Sequence, residues 1–416
     1  MKKKSNLLTI FIFGAMILGI ILGYVYWKMV PEVESRDQFA EKISILSHVF
    51  LRLVKMIIAP LVFSTLVLGV AKLGDIKAVG RIGAKTMGWF ITATFVSLFL
   101  GLILVNLLKP GVGLNLPLPD IHASSGVERA DMTLRGFFDH IVPESAIMAM
   151  AENEILQIVI FALFFGIATA AIGEAGTPIV KLMDSVAHVM LKVTGYVMNF
   201  APFAVFGAMA AIIAKSGPDI LITYLVFLIQ FYIGLMILWF ILLFAGYVIV
   251  GKPITGLYKK LIAPITMAFA TASSEAAYPR TMQSLEEFGC DNRIVSFVLP
   301  LGYSFNLDGS MMYMTFASLF IAQAYGMHLS IEQQITMLLV LMITSKGIAG
   351  VPRASLVVIA GTLALFNIPE AGLLLLIGID HFLDMGRSAT NVIGNAMACT
   401  AVSKWEGKLE LQPEEA

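Results

Sequence analysis

Five polar residues near the end of the chain, Asp380, Asp384, Arg387, Asn391 and Asn395, follow one another at steps of 4, 3, 4 and 4. At about 3.6 residues per turn, those steps place all five on one face of a helix. The other faces carry Leu, Ile, Phe, Met and Ala over the run from Leu374 to Val402. A charge at mid-membrane costs about 2.5–3.5 kcal/mol on insertion scales, so such residues face a cavity or a partner. Two uses fit: the stripe lines a polar path, or it docks its helix through internal salt bridges and amide hydrogen bonds. The polar path is favoured, because small residues dock helices at far lower desolvation cost.

Two further clusters carry comparable chemistry. Residues 271–280 read Thr-Ala-Ser-Ser-Glu-Ala-Ala-Tyr-Pro-Arg, and residues 345–353 read Ser-Lys-Gly-Ile-Ala-Gly-Val-Pro-Arg. Each sits midway through an apolar stretch of about 35 residues, too long for one crossing and too short for two. A re-entrant hairpin fits this length, entering halfway and leaving on the same side; two helices kinked at Pro279 and Pro352 are the alternative. Non-helical backbone at membrane depth is tolerated where it lines a cavity or is buried in protein. Between the clusters lies Asn306-Leu307-Asp308-Gly309-Ser310, where Gly309 beside Asp308 favours local unwinding. Unwinding there would free carbonyls and align a carboxylate to bind a cation. Each hairpin is followed by a helix with a polar centre. A unit repeated in this way marks transporters with internal repeats, whose site lies where the repeats meet.

The elements that must position these residues are set by composition. Of 416 residues, 58% are hydrophobic and 13% charged, far from the 25% charge of a soluble domain. A soluble enzyme, a disordered chain and a disulfide scaffold are thereby excluded, the last by only two cysteines, Cys290 and Cys399. The formal charge is zero, so nothing draws the chain to nucleic acid or to an anionic lipid surface. An all-α polytopic membrane protein remains, with lipid as its surroundings. Apolar runs fall at 7–27, 44–71, 87–108, 155–172, 186–214 and 220–250, followed by the interrupted region 260–403. The first run is too long for a signal peptide and lacks a small-residue cleavage site. Lys2, Lys3 and Lys4 precede it, and Lys72, Lys77, Arg81 and Lys85 follow the second run. The acidic loop with Glu32, Glu34, Asp37 and Glu41 lies between them, so the N-terminus is expected in the cytoplasm. Lys252, Lys259 and Lys260 return the chain to that side; 109–135 reads as an external loop and 404–416 as a solvated cytoplasmic tail.

Three features are set aside. His381 lies one residue off the stripe and is read as packing; the Gly19–Gly23 spacing arises often by chance; and neither cysteine has metal-ligand spacing. An intramembrane aspartyl protease built on Asp308 and Asp384 is disfavoured by Arg387, which would hold one carboxylate ionised.

The segments Ala-Ser-Ser-Glu-Ala-Ala-Tyr-Pro-Arg (272–280), Gly-Tyr-Ser-Phe-Asn-Leu-Asp-Gly-Ser (302–310), Gly-Ile-Ala-Gly-Val-Pro (347–352) and Asp-Met-Gly-Arg-Ser-x-x-Asn-Val-x-Gly-Asn (384–395) resemble the dicarboxylate/amino acid:cation symporters, the glutamate transporter family. The resemblance spans essentially the whole chain and is closest to bacterial proton/glutamate symporters. It implies eight spanning helices plus two re-entrant helical hairpins arranged as inverted repeats. It also implies a homotrimer in the bacterial inner membrane and an elevator motion gated outside by the second hairpin. The implied divisions are scaffold helices 1–2 at 1–86, helix 3 and its external loop at 87–131, scaffold helices 4–5 at 132–218 and helix 6 at 219–250. A transport core at 251–404 and a cytoplasmic tail at 405–416 complete them. No enzyme activity and no cofactor is implied; relatives conduct anions incidentally, so channel activity enters only as a side reaction.

Site roles are likewise implied by the resemblance. Arg387 matches the arginine that holds the substrate's side-chain carboxylate, bidentately as a planar guanidinium can. Asp384 matches the acid that takes the ammonium, which C4-dicarboxylate carriers lack, and Asn391 the amide on the α-carboxylate. Ser310 and Ser388 match pocket hydroxyls, and Ser274, Gly350 and Val351 lie at hairpin tips that supply backbone groups. L-glutamate or L-aspartate is the substrate these imply. Sodium-coupled relatives carry an aspartate where this chain has Asn395. A tyrosine and a threonine of another sodium site are replaced by Phe90 and Ala93, and a threonine of the second hairpin by Ile348. Glu275 replaces a serine, Met314 a Glu or Gln, and Arg353 a common glycine. A carboxylate in apolar surroundings can take a proton outside and release it inside, so protons are the expected coupling ion and sodium the alternative. Glu275, Asp308 and Asp380 are the candidate carriers, with Asn306 and Asn395 beside them and no metal assigned. Glu275 has a competing reading as a fixed ion pair with Arg280 or Lys346.

Overall fold

The computed structural model describes residues 2–73, 76–112, 119, 141–217, 224–345, 354–377 and 379–411. Among these residues the regular structure is helical, apart from one antiparallel bridge between Cys290 and Leu409. In order, the first helices are α1 (Lys2–Met29), α2 (Val33–Leu73), α3 (Ile76–Leu108), α4 (Ala146–Glu152), α5 (Ile155–Ala171), α6 (Thr177–Val197), α7 (Ala201–Ser216) and α8 (Leu225–Val250). Four of their stretches, Ile10–Met29, Val33–Ala71, Val79–Leu108 and Leu225–Val250, are long and apolar enough to cross a membrane. The pair Gly173–Val197 and Ala201–Lys215, bent by 50°, passes the same test together, as a broken span or a re-entrant loop would. The run expected at 186–214 is thus broken, where a 3-10 turn at Met198–Phe200 hands over to a helix opening on Pro202. Outward-facing Ile17, Ile21, Phe240 and Phe244 make α1 and α8 apolar on the side away from the protein, as lipid contact requires.

The second half supplies α9 (Ile254–Thr271), α10 (Tyr278–Phe288), α11 (Asn292–Phe305), α12 (Asp308–Ala324), α13 (Ile331–Thr344), α14 (Ala354–Leu365), α15 (Leu373–Ile377) and α16 (Asp380–Trp405). α9 and α10 pack on each other as a hairpin, and so do α13 and α14. The first hairpin turns at Ala272, whose φ of +51° is left-handed, and then through a 3-10 turn at Glu275–Ala277. The second tip, with Lys346, Ile348, Gly350, Val351 and Arg353, lies outside the described residues.

Packing sorts the helices into two groups. α2 packs on α5, α6 and α7, and α1 on α7; α16 is surrounded by α8, α9, α11 and α12, with α3 against α12. Contacts of α11 with α2 and of α1 with α9 join the groups. Leu383 through Ser403 are all buried, so α16 is the axis of the second group.

Three expectations from the sequence need correction. The last helix does not run unbroken from residue 374: α15 ends at Ile377 and α16 starts at Asp380. Ile379 lies in that break as a turn residue, and Asp380 gains the favourable first turn of a helix. The unwinding expected at Gly309 occurs at Asn306 and Leu307, whose ψ values are 56° and 65°. Gly309 is helical and has another role: a Cβ on it would lie 2.2 Å from the Arg387 carbonyl oxygen. Only glycine lets α12 approach α16 so closely. Finally, the tail is docked through its backbone and Glu406, while Lys404, Trp405, Gly407, Lys408 and Glu410 stay exposed. Asp291 N–H donates to Lys408 O at 3.2 Å, and Glu410 N–H donates to Gly289 O at 2.9 Å. Glu406, with a side chain 5% exposed, pairs with Arg81 at 2.7 Å and Lys85 at 2.6 Å. Hydrogen bonding from Arg81 is the main cause holding the Glu406 carboxyl below its ordinary range, ahead of Lys85.

Candidate substrate and cation site

The expected stripe exists and is buried to 1% exposure or less: Asp380, Asp384, Arg387, Asn391 and Asn395 all lie on α16. Opposite them, the break between α11 and α12 presents Asn306, Asp308 and Ser310, also buried. The start of α12 has unpaired backbone donors, and Leu307 before it offers no capping side chain. Asn391 supplies the cap from the neighbouring helix: its Oδ1 accepts from Gly309 N–H at 2.9 Å and from Ser310 N–H at 3.3 Å. Its Nδ2 donates to Ser310 Oγ at 3.2 Å.

Arg387 is the centre of this arrangement. Its Nε lies 2.7 Å from Asp384 Oδ1, both side chains being fully buried, and its Nη1 donates to Ser310 Oγ and Ser355 Oγ, each at 3.2 Å. Three helices therefore converge on one guanidinium: α16, α12 and, through Ser355, the second arm of the second hairpin. Ser388 and Ser274 are buried with hydroxyls lacking a hydrogen-bond partner among the described residues.

One turn towards the end of α16 lies a second polar group. Asp308 accepts from Asn306 Nδ2 at 3.1 Å and from Ser97 Oγ of α3 at 3.3 Å. Asn306 Nδ2 also donates to Asn395 Oδ1 at 3.3 Å. The Asn306 Oδ1 and Asn395 Nδ2 atoms are buried without a partner among the described residues. Gly394 makes room for this cluster, since a Cβ there would lie 1.9 Å from Asp308 Oδ2. At the other end of the stripe, Tyr313 O–H donates to Asp380 Oδ1 at 2.5 Å.

The charge balance is uneven. Among the described residues the buried charged side chains are Glu275, Asp308, Asp380, Asp384 and Arg387. Four carboxyl groups accompany one guanidinium. No grouping of three or more His, Cys, Asp or Glu residues suited to a metal ion occurs among the described residues.

Glu275 is placed apart from the stripe. It lines a crevice at the first hairpin's tip together with Ile58 and Val62 of α2, Ile155 of α5, and Tyr278, Pro300 and Tyr303. Of the two partners in the competing reading, Arg280 donates to Gln283 at 2.5 Å among its contacts, and Lys346 lies outside the described residues. Met314 is fully buried within α12. Phe90 and Ala93 are buried on α3, two turns and one turn before Ser97 respectively.

Four contributors escaped the sequence reading: Ser97, Ser355, Tyr313 and Trp239, whose Nε1 donates to Thr390 Oγ1 at 2.6 Å. For Ser97 a signal existed, because it lies four residues beyond Ala93 on the same face of an apolar helix. Ser355 had only its place just after a hairpin tip.

Comparisons with known proteins agree with this architecture. The sodium:dicarboxylate symporter family model matches residues 8–405. A proton/sodium-glutamate symport protein of Bacillus caldotenax is 41% identical over 402 residues, covering 95% of this chain and 94% of the relative. A C4-dicarboxylate transport protein of Acinetobacter baylyi is 39% identical over 407 residues, covering 95% and 90%. Another of that name, from Bacillus subtilis, is 39% identical over 416 residues, covering 99% and 96%. The chain is a multi-pass membrane transporter rather than an enzyme, and it belongs to the sodium:dicarboxylate symporter family of cation-coupled symporters.

Proposed function

We propose that this symporter imports an acidic amino acid, L-glutamate or L-aspartate, with protons as the driving cation. The observation that carries the reading is the buried Asp384–Arg387 pair, held among Ser310, Asn391 and Ser355. In this reading Arg387 holds the side-chain carboxylate, Asp384 turns to the ammonium, and Asn391 takes the α-carboxylate through its amide hydrogens. Ser388 and backbone groups near Ser274, Gly350 and Val351 complete the pocket. Membership of a family of cation-coupled symporters supports cation coupling, and the amide of Asn395, which shares Asn306 with Asp308, favours protons. Glu275, Asp308 and Asp380 are the carriers in this proposal.

The two packing groups support an elevator, with α1, α2 and α5–α7 as scaffold and α3 and α8–α16 as the moving body. Eight crossings, two hairpins, inverted repeats, a homotrimer and cytoplasmic termini complete the proposed arrangement. A second reading has specific support: relatives named as C4-dicarboxylate transport proteins are nearly as similar as those named for glutamate. Uptake of labelled glutamate, aspartate and succinate into proteoliposomes separates the two. The test imposes a pH gradient, with sodium present or absent. Obligatory sodium, with no uptake driven by a pH gradient alone, removes the proton assignment. Concentration of succinate but of neither amino acid removes the substrate assignment.

A further inference from the structure

A second cavity, of about 560 Å³, lies away from the site just described, where the ends of α3 and α12 meet the start of α13. That volume suits a small molecule. Among the described residues its polar lining comprises Lys109, His328, Asn106, Gln323 and Gln334, over an apolar floor that includes Leu319, with no Asp or Glu among them.

The walls are fixed by their own hydrogen bonds. Gln323 Oε1 accepts from Gly111 N–H at 3.1 Å, while its Nε2 donates to Val105 O at 3.1 Å, so one side chain staples the end of α3 to α12. Gly111 permits the contact, since a Cβ there would lie 2.4 Å from Phe320 O. Across the cavity, Asn106 Nδ2 donates to Gln334 Oε1 at 2.7 Å, and Gln334 Nε2 donates to Leu329 O at 3.0 Å. With the amides so engaged, Lys109 and His328 are the groups left to meet a ligand.

Lys109 is held there against its backbone preference. Its φ is +46°, a left-handed conformation uncommon for a side-chain-bearing residue and further disfavoured before Pro110. Strain of that kind persists where surrounding structure enforces it and clusters at ligand-binding positions.

We infer that this cavity is a capture site for small carboxylate anions, recruiting the acid before it reaches Arg387. Among the described residues the lining brings one ammonium and one imidazole to an apolar floor, chemistry that attracts a carboxylate and tolerates its carbon chain. The inference rests on the orientation proposed above, which puts the end of α3 outside.

In proteoliposomes, Lys109→Gln should raise KM for external acid three- to tenfold with kcat unchanged. Lys109→Arg should restore the original KM, and the difference between Lys109→Gln and wild type should shrink at high salt. Independently of transport, saturation-transfer NMR with succinate on Arg387→Ala should retain a weak signal that Arg387→Ala/Lys109→Gln loses. An unchanged KM in Lys109→Gln, an arginine variant as impaired as the glutamine one, or an NMR signal indifferent to Lys109 overturns the capture site. A KM effect seen only for acid supplied from the inside overturns its external placement. Failure of the main-site reading is separately visible, as undiminished uptake by Arg387→Ala.

Discussion

Gly309→Ala tests whether the closeness of α12 and α16 sets the geometry of the site. The added methyl would lie 2.2 Å from the Arg387 carbonyl oxygen and 2.8 Å from Thr390 Cβ, and ordinary contact begins at 3.4 Å. The obstacle is backbone, which cannot swing aside as a side-chain tip would, so the helices must part by about 1.2 Å at that point. The Gly309 N–H to Asn391 bond, now 2.9 Å, would then open to about 4 Å, beyond hydrogen-bonding range. Overpacking costs about 1–3 kcal/mol, and each buried donor left unmet about 1–3 kcal/mol more. A loss of roughly 3–5 kcal/mol of stability is expected, with uptake reduced by about 100-fold through misplacement of Ser310 and Asn391. Thermal unfolding of the detergent-purified protein and initial uptake rates in proteoliposomes measure the two effects. Gly80→Ala is the control, because a Cβ there meets nothing within 4 Å. Wild-type uptake and unfolding temperature in the Gly309 variant would refute the idea that this close contact positions the site.

Three further outcomes are expected. Arg387→Ala should abolish uptake of acidic substrates and lower stability by about 3–5 kcal/mol through the stranded Asp384. The double variant Asp384→Ala/Arg387→Ala should be the more stable of the two, as a double-mutant cycle on unfolding will show. Asn395→Asp places a second carboxylate beside Asp308 and should make uptake respond to sodium; uptake indifferent to sodium at fixed pH would contradict the coupling role of that amide. For Glu406 the folded carboxyl titrates below its ordinary value of 4.5, so its stabilising effect is present above that value and is lost as pH falls through the folded one. Glu406→Gln should therefore cost about 1 kcal/mol at pH 7, a difference that narrows below about pH 4 in unfolding measurements.

The stripe on α16 was legible because periodicity survives any packing: residues three and four apart share a face wherever a helix forms. The pairing of α9 with α10 and of α13 with α14 was foreshadowed by two apolar runs, each interrupted midway by small residues, proline and charge. What escaped depends on partners distant in sequence. Gly309 reads as a helix breaker in isolation, yet its place is decided by the Arg387 carbonyl on another helix. The hydroxyl of Ser97 is unremarkable within α3 until Asp308 is set against it. The polar end of the chain reads as solvated because nothing local reveals Arg81 and Lys85, more than three hundred residues earlier, as the partners of Glu406.

The buried stripe also constrains how the protein is made. A segment bearing two aspartates and an arginine within about two turns would pay roughly 2.5–3.5 kcal/mol for each if released alone into hydrocarbon. The first-synthesised helices can wait in lipid as independent cylinders, whereas Asp380–Trp405 needs α8, α11 and α12 already gathered to receive it. Entry of the last helix is thus a docking event, so variants that loosen that receiving surface should first appear as chains whose ends never reach the membrane interior.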